Sequence, residues 1–333
     1  MTELPLSLME ILVRLPNWLG DMIMSIPFLE RLQSEYPGAS ISVIVKKGLE
    51  PLLQYFPPVG DKFIFSKQEY PGVMGATRFG KEIGKKKRFD LYFSLPDSFS
   101  AAIMGWTVGA KKRIGYANEG RSVFLTKAFS KNTKQHRAFQ YLDLLQQFTG
   151  KKYLTDSLQL INIPSVEKNK SVIVNIHSEA VSRRLPKEKA ISLLIHLQKT
   201  IDMPLILIGG PNDIAYTKEV IDSLPSKENI IDRSGTTGLA ELPLLMNDAS
   251  VMVSTDSGPA HIANAVGLSL VVLFGAGNEK STGPFNIQNS TIIRLNQLPC
   301  EPCVKNTCIY GLPKCLEQLD ENKISTALLN YLK

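Results

Sequence analysis

Short apolar runs rich in valine and isoleucine recur along the whole chain and alternate with stretches whose apolar residues fall at helical spacing. Runs this continuous suit strands buried on both faces, and the helical stretches between them supply the crossovers that parallel strands require. In the first half the runs are 10–15, 40–45, 62–65, 90–94 and 112–114. In the second half they are 171–176, 204–208, 230–231, 249–254, 270–273 and 291–294. Between the first two runs, Ile23, Ile26, Leu29 and Leu32 predict a helix over 20–36, ended by Pro37-Gly38. Each half therefore repeats the alternation of a doubly wound domain, and the fold class expected is α/β.

A length of 333 residues suits two domains, each with its own core. The polar stretch 162–170, with Pro164 and Glu167, reads as the linker, so the domains expected are 1–165 and 166–333. Two such domains facing each other place a ligand cleft between the carboxyl ends of their sheets. No run of about 18 apolar residues occurs, so no membrane span is expected. The stretch 1–17 carries Glu3 and Glu10 and lacks a basic segment followed by an apolar one, which argues against a secretory signal and for the cytoplasm.

The net charge is +7, with basic clusters at Lys46-Lys47, Lys85-Lys86-Lys87-Arg88, Lys111-Lys112-Arg113 and Arg183-Arg184. Each alone reads as a solvated face; together they suit an anionic partner. The clusters are not interleaved with aromatics and no nucleic-acid motif appears, so nucleic acid is not expected. An anionic membrane surface attracts each well-placed Lys or Arg by about 1 kcal/mol, enough for loose peripheral attachment and no more.

The chemistry concentrates at turns after strands. Ser254-Thr255-Asp256-Ser257-Gly258-Pro259-Ala260-His261 reads as a strand end, a small-residue turn and a helix start. Asp256 or Ser257 can cap that helix, its free N–H groups and dipole seat an anion, and Gly258 allows close approach. Asp21 follows the first strand and can act as a general base, or as a helix N-terminal acid. Arg183 and Arg184 can neutralise phosphate, or form a solvated basic pair. Gly209 and Gly210 leave room for a nucleotide, and Asp213 can accept from ribose hydroxyls or cap a helix. His261 faces the anion seat, or serves as a structural hydrogen bonder. The four cysteines form Cys300-x2-Cys303-x4-Cys308-x6-Cys315. Such a cluster can hold zinc or iron, although the uneven spacing fits no standard ribbon; the alternative is a compact loop with buried thiols.

These pieces together resemble the lipopolysaccharide heptosyltransferases of glycosyltransferase family 9. The matching elements are Asn17-Trp18-Leu19-Gly20-Asp21-Met22-Ile23-Met24-Ser25, Arg113-Ile114-Gly115-Tyr116, Ser182-Arg183-Arg184-Leu185-Pro186, the segment 254–261 and the cysteine stretch, in order along the chain. The resemblance implies a GT-B fold, with the acceptor on the first domain and the nucleotide sugar on the second. It implies inverting transfer of a heptose from ADP-heptose to a phosphorylated lipid A–Kdo–heptose inner core, with no cofactor required. Asp21 matches the base. Asn17 and Arg113 fall with the acceptor, and Ser178, Arg183, Arg184, Gly209, Asp213, Asp256, Ser257, Gly258 and His261 with the donor. The chain departs from the family where Ile176-His177-Ser178 replaces Pro-Gly, Leu185 a tryptophan and Arg183 a lysine. Two other functions remain compatible with the residues: a metal- or redox-responsive binding protein centred on the cysteines, and a sugar-nucleotide epimerase of the same fold.

Overall fold

The computed structural model describes residues 9–118 and 120–333, so Glu3 and the first part of the stretch 1–17 lie outside the described residues. The chain divides into two units, Met1–Thr155 and Asp156–Lys333. The division falls ahead of the boundary expected at 165. The stretch after Asp156 belongs to the second unit because it is bonded there: Leu160 N–H donates to Ala265 O at 3.0 Å and Leu158 N–H to Asn286 Oδ1 at 3.0 Å. Leu158 and Leu160 are buried, which a linker would not be.

In the first unit the strands are β1 (Glu10–Arg14), β2 (Ser40–Lys46), β3 (Lys62–Phe65), β4 (Leu91–Ser94), β5 (Lys112–Tyr116) and β6 (Lys127–Phe129). They form one parallel sheet in the order β3-β2-β1-β4-β5-β6. The helices are α1 (Leu19–Met24), α2 (Ile26–Glu35), α3 (Gly72–Lys86), α4 (Phe99–Val108) and α5 (Arg137–Thr149). The single helix expected over 20–36 is two helices that meet at Ser25. Pro27, in the first turn of α2, has no N–H to carry the helical ladder through, and the Ser25 hydroxyl donates to Met22 O at 2.7 Å instead. The edge strand β6 was not anticipated; it is short, and its first two residues are exposed, so its apolar signal is weak.

The second unit holds β7 (Val172–Asn175), β8 (Leu205–Leu207), β9 (Ile230–Asp232), β10 (Val251–Thr255), β11 (Ser269–Phe274) and β12 (Ser290–Arg294). Its order, β12-β11-β10-β7-β8-β9, repeats the first sheet's connectivity. The helices are α6 (Lys187–Thr200), α7 (Ile214–Asp222), α8 (Leu242–Asp248), α9 (Gly258–Val266), α10 (Glu279–Thr282), α11 (Lys314–Glu317) and α12 (Glu321–Tyr331). Both sheets are thus doubly wound, and their strand order reverses between β1 and β4 and between β7 and β10. At such a reversal the following loops diverge to opposite faces and leave a crevice at the carboxyl ends, where ligands of this architecture bind. β7, β10 and all but the first residue of β1 are buried, so both crevices stand on rigid supports.

Among the described residues, no helix is long and apolar enough to cross a membrane. Several of the basic clusters are surface ion pairs: Lys87 meets Glu10 at 2.8 Å and Asp61 at 3.0 Å, and Lys111 meets Asp90 at 2.7 Å.

Candidate active site

The crevice of the second unit is closed at its base by one amide. Asn175, the last residue of β7, donates through Nδ2 to Ser254 Oγ at 3.0 Å and Ser257 Oγ at 2.8 Å, tying β7 to the turn after β10. Thr255 Oγ1 donates to His177 O at 2.5 Å across the same gap. These bonds correct the expected helix cap. Ser257 is the N-cap of α9 but makes no side-chain cap bond, because its hydroxyl is drawn to Asn175 and to Thr255 O. The first turn of α9, with Gly258 and Pro259, therefore keeps N–H groups that no side-chain cap satisfies.

Beside that turn, Arg183 Nη1 stands 3.3 Å from Asp256 Oδ2. The carboxylate is 2% exposed, and Oδ2 has no hydrogen-bond partner. Burial pushes Asp256 up to about 6, against the opposing pull of Arg183 and Arg294. Gly277, after β11, makes this placement possible: a Cβ there would lie 1.8 Å from Asp256 Oδ2. Arg294 braces the same loop, donating to Gly275 O at 2.6 Å, to Gly277 O and to Glu279 Oε2 at 2.6 Å. His261 lies in α9 and is buried.

A second cluster lies after β8. Asp213 Oδ1 accepts from Arg184 Nη2 at 2.9 Å, and Oδ2 accepts from Gly210 N–H at 2.9 Å. His177 Nδ1 approaches the same carboxylate at 3.5 Å while Nε2 meets Thr217 Oγ1 at 2.9 Å. Burial lowers His177 to about 4, so its ring is neutral at physiological pH and the contact to Asp213 is dipolar. Three expectations change here. Arg184 is held by Asp213 and braced over Tyr216 at 5.4 Å, so it is not a second free phosphate clamp beside Arg183. Asp213 already accepts from Arg184 and from Gly210 N–H, which limits what it can accept from a ligand. Gly209 is small for His177 and Asp213: a Cβ would lie 3.0 Å from each. Ser178, buried, offers its carbonyl to Arg184 at 3.5 Å.

In the first unit, Asp21 is the third residue of α1, just beyond β1. Its carboxylate is partly exposed, and Arg137 Nε stands 3.4 Å from Oδ1. Asn17 Oδ1 accepts from Arg14 Nη2. Arg14 is buried and further pinned by Leu15 O at 2.6 Å and Ile44 O at 3.2 Å. Burial lowers it to about 10, which leaves it cationic. Arg113 is not brought to this edge. It lies near the start of β5, and its guanidinium is spent on Phe124 O at 2.7 Å and Ala110 O at 2.9 Å. Arg137, Gly277 and Arg294 were not singled out from the sequence. Only Arg137 carried a local signal, a cation at the first position of a helix, against the dipole.

The four cysteines line one cavity of about 190 Å³. The expected metal cluster is not assembled: among the described residues no three His, Cys, Asp or Glu side chains are grouped to hold an ion. Cys308 Sγ is turned to Leu312 O at 3.4 Å, and Cys315 is buried in α11. Burial, reinforced by Glu301 and the other thiols, pushes the Cys315 thiol up to about 11. The loop has a structural use instead. Ser182 N–H donates to Asn306 O at 3.0 Å, which fixes the turn that carries Arg183.

A family model described as glycosyltransferase family 9 (heptosyltransferase) matches residues 76–313. Among curated proteins, the chain is 27% identical to lipopolysaccharide heptosyltransferase 2 of Escherichia coli K12, covering 86% of this chain and 88% of that one. It is 26% identical to lipooligosaccharide heptosyltransferase 2 of Haemophilus influenzae, covering 86% and 89%. The solved structure of E. coli ADP-heptose LPS heptosyltransferase II superposes with a TM-score of 0.80 at 22% identity, over 97% of this chain and 98% of that chain.

Proposed function

Since the chain belongs to glycosyltransferase family 9, we propose that it transfers a heptose from ADP-heptose to the inner core of lipopolysaccharide, inverting the anomeric carbon. Family membership makes it a glycosyltransferase and favours transfer over the epimerase and metal-responsive alternatives. The observation that carries the donor half is Arg183 paired with buried Asp256 beside the N-terminal turn of α9. Leaving ADP gains negative charge, and a guanidinium together with helix N–H groups can stabilise it. Arg183 takes the diphosphate. Asp256, with an unsatisfied buried oxygen, accepts from a donor hydroxyl; Ser257, Gly258 and His261 complete the seat.

Asp21 is the proposed base. The acceptor hydroxyl loses its proton to the Asp21 carboxylate as its oxygen bonds to the anomeric carbon. The bond to the diphosphate oxygen breaks with its electron pair leaving on ADP. Asn17, aimed by Arg14, contacts the acceptor. The acceptor is a phosphorylated lipid A–Kdo–heptose core met at an anionic membrane face, which the excess of Lys and Arg supports.

The test is a panel of nucleotide sugars with mass detection of the extended lipid, run in chelator. ADP-heptose is expected to give a product heavier by one heptose at an undiminished rate, and Cys303→Ser to keep that rate. Product only from another sugar nucleotide would displace the donor assignment, and loss of transfer in chelator would restore a metal to the scheme. Gly277→Ala is expected to weaken ADP binding by about tenfold in calorimetry, because its methyl must push the Asp256 carboxylate off Arg183. Unchanged affinity would detach that pair from donor binding.

A further inference from the structure

At the carboxyl edge of the first sheet, three cations crowd two carboxylates. Arg137 stands 3.4 Å from Asp21, Lys131 is bonded to Asp97, and fully buried Arg121 reaches Asp97 at 3.0 Å. Asp21 and Arg137 both act electrostatically on Lys131 and on buried Tyr141, so these groups form a single cluster. Asp21 is thus faced by Arg137 and Tyr141 from α5 and by Lys131 from the loop ahead of it, with Asp97 from the loop after β4 acting through Lys131.

Helix stability does not account for Arg137. It occupies the first position of α5, where the positive end of the helix disfavours a cation. Its Nε is buried without a hydrogen-bond partner, and the separation from Asp21 is longer than an N–H···O bond. The contact is Coulombic, and the guanidinium lacks the bidentate geometry it makes with a well-seated oxyanion. The pairing also works against catalysis, since a neighbouring cation favours the charged carboxylate and weakens it as a base.

We propose that Arg137 recognises an oxyanion on the acceptor, a phosphoryl or carboxylate group, and gives up Asp21 when that group arrives. The inference rests on Asp21 being the base. Before the acceptor binds, Arg137 engages the Asp21 carboxylate. When the acceptor oxyanion takes the guanidinium, Asp21 is released to receive the hydroxyl proton. The guanidinium of Arg137 favours such a ligand over a neutral one. The oxyanion should therefore raise kcat as well as lower KM.

The experiment measures kcat and KM for the intact acceptor, for acceptor with its phosphates removed, and for acceptor with its carboxylates methyl-esterified. Each is assayed with wild type, Arg137→Gln and Arg137→Lys, with ADP binding as the check on folding. Wild type is expected to lose on the order of 30-fold in kcat when the recognised group is removed, and the arm that shows the loss identifies the group. In Arg137→Gln that ratio is expected to fall to within about threefold, with kcat on the stripped acceptor above the wild-type value. Arg137→Lys, a point charge without the planar fork, is expected to give an intermediate ratio and decides the matter should the Gln variant fail to fold. A wild type indifferent to both modifications, or a ratio unchanged in the variants, overturns the inference. Asp21→Asn reports on the base separately: activity there removes the base, whereas an inactive Asp21→Asn with an unchanged Arg137 ratio removes only the role of Arg137.

Discussion

Asp21→Asn is expected to lower kcat by at least about a hundredfold while leaving ADP affinity within about twofold. The substitution keeps the size of the side chain and removes only its capacity to take a proton. Asp21 is not among the residues proposed to seat the nucleotide, so ADP affinity should not register the change. The helix also loses an acid in its first turn, a term below about 1 kcal/mol. A purely structural role would therefore give a slightly less stable protein with normal turnover. Steady-state kinetics beside ADP calorimetry separates the two outcomes, and near-normal kcat would remove Asp21 from the chemistry.

The second large effect has opposite signs for stability and function. Asp256→Asn should stabilise the unliganded protein at neutral pH and cripple donor binding. Burial holds the Asp256 carboxyl at about 6, against 3.8 in an unfolded chain. The folded state therefore holds its proton more tightly than the unfolded state between those values. Stability falls as pH rises through that window, and the cost is fully present above 6. At about 1.4 kcal/mol per unit the penalty is of order 3 kcal/mol. An asparagine avoids it, although Arg183 then loses its charge partner; that guanidinium is 25% exposed and can hydrate. The melting temperature of Asp256→Asn should exceed the wild type's by several degrees at pH 8, with the gain vanishing toward pH 4. ADP affinity should drop by at least about tenfold, since the Arg183 guanidinium then loses the carboxylate that orients it. A lower melting temperature at pH 8 would mean that the ion pair outweighs the burial penalty.

The fold was legible because its signal is local. Strands such as β1, β7 and β10, buried along nearly their whole length, announce themselves as continuous apolar runs. Elements without that signal were missed or misjudged. The edge strand β6 is largely exposed, and the break at Ser25 depends on Pro27, which the helical spacing of its neighbours hides. The site was half legible. Asp21 and the segment 254–261 stood out because they lie where a strand gives way to a helix and polar residues are compressed into a few positions. The fates of Arg113, Arg184 and Gly209 were not legible. Each depends on a partner distant in sequence: Phe124 for Arg113, Asp213 for Arg184, and His177 for Gly209.

From the order of its residues alone, the chain determined two doubly wound sheets and the turns at which chemistry sits, because hydrophobic periodicity and turn composition act over a few neighbours. Only the tertiary structure decided which charges meet. It set Arg183 against Asp256 across the β7–β10 reversal, gave Asp21 an arginine from α5, and turned the cysteine loop into a brace for the Arg183 turn. Ion pairs and buried carboxylates are settled by ångström-scale approach and by loss of water, and neither is written in the spacing of a sequence.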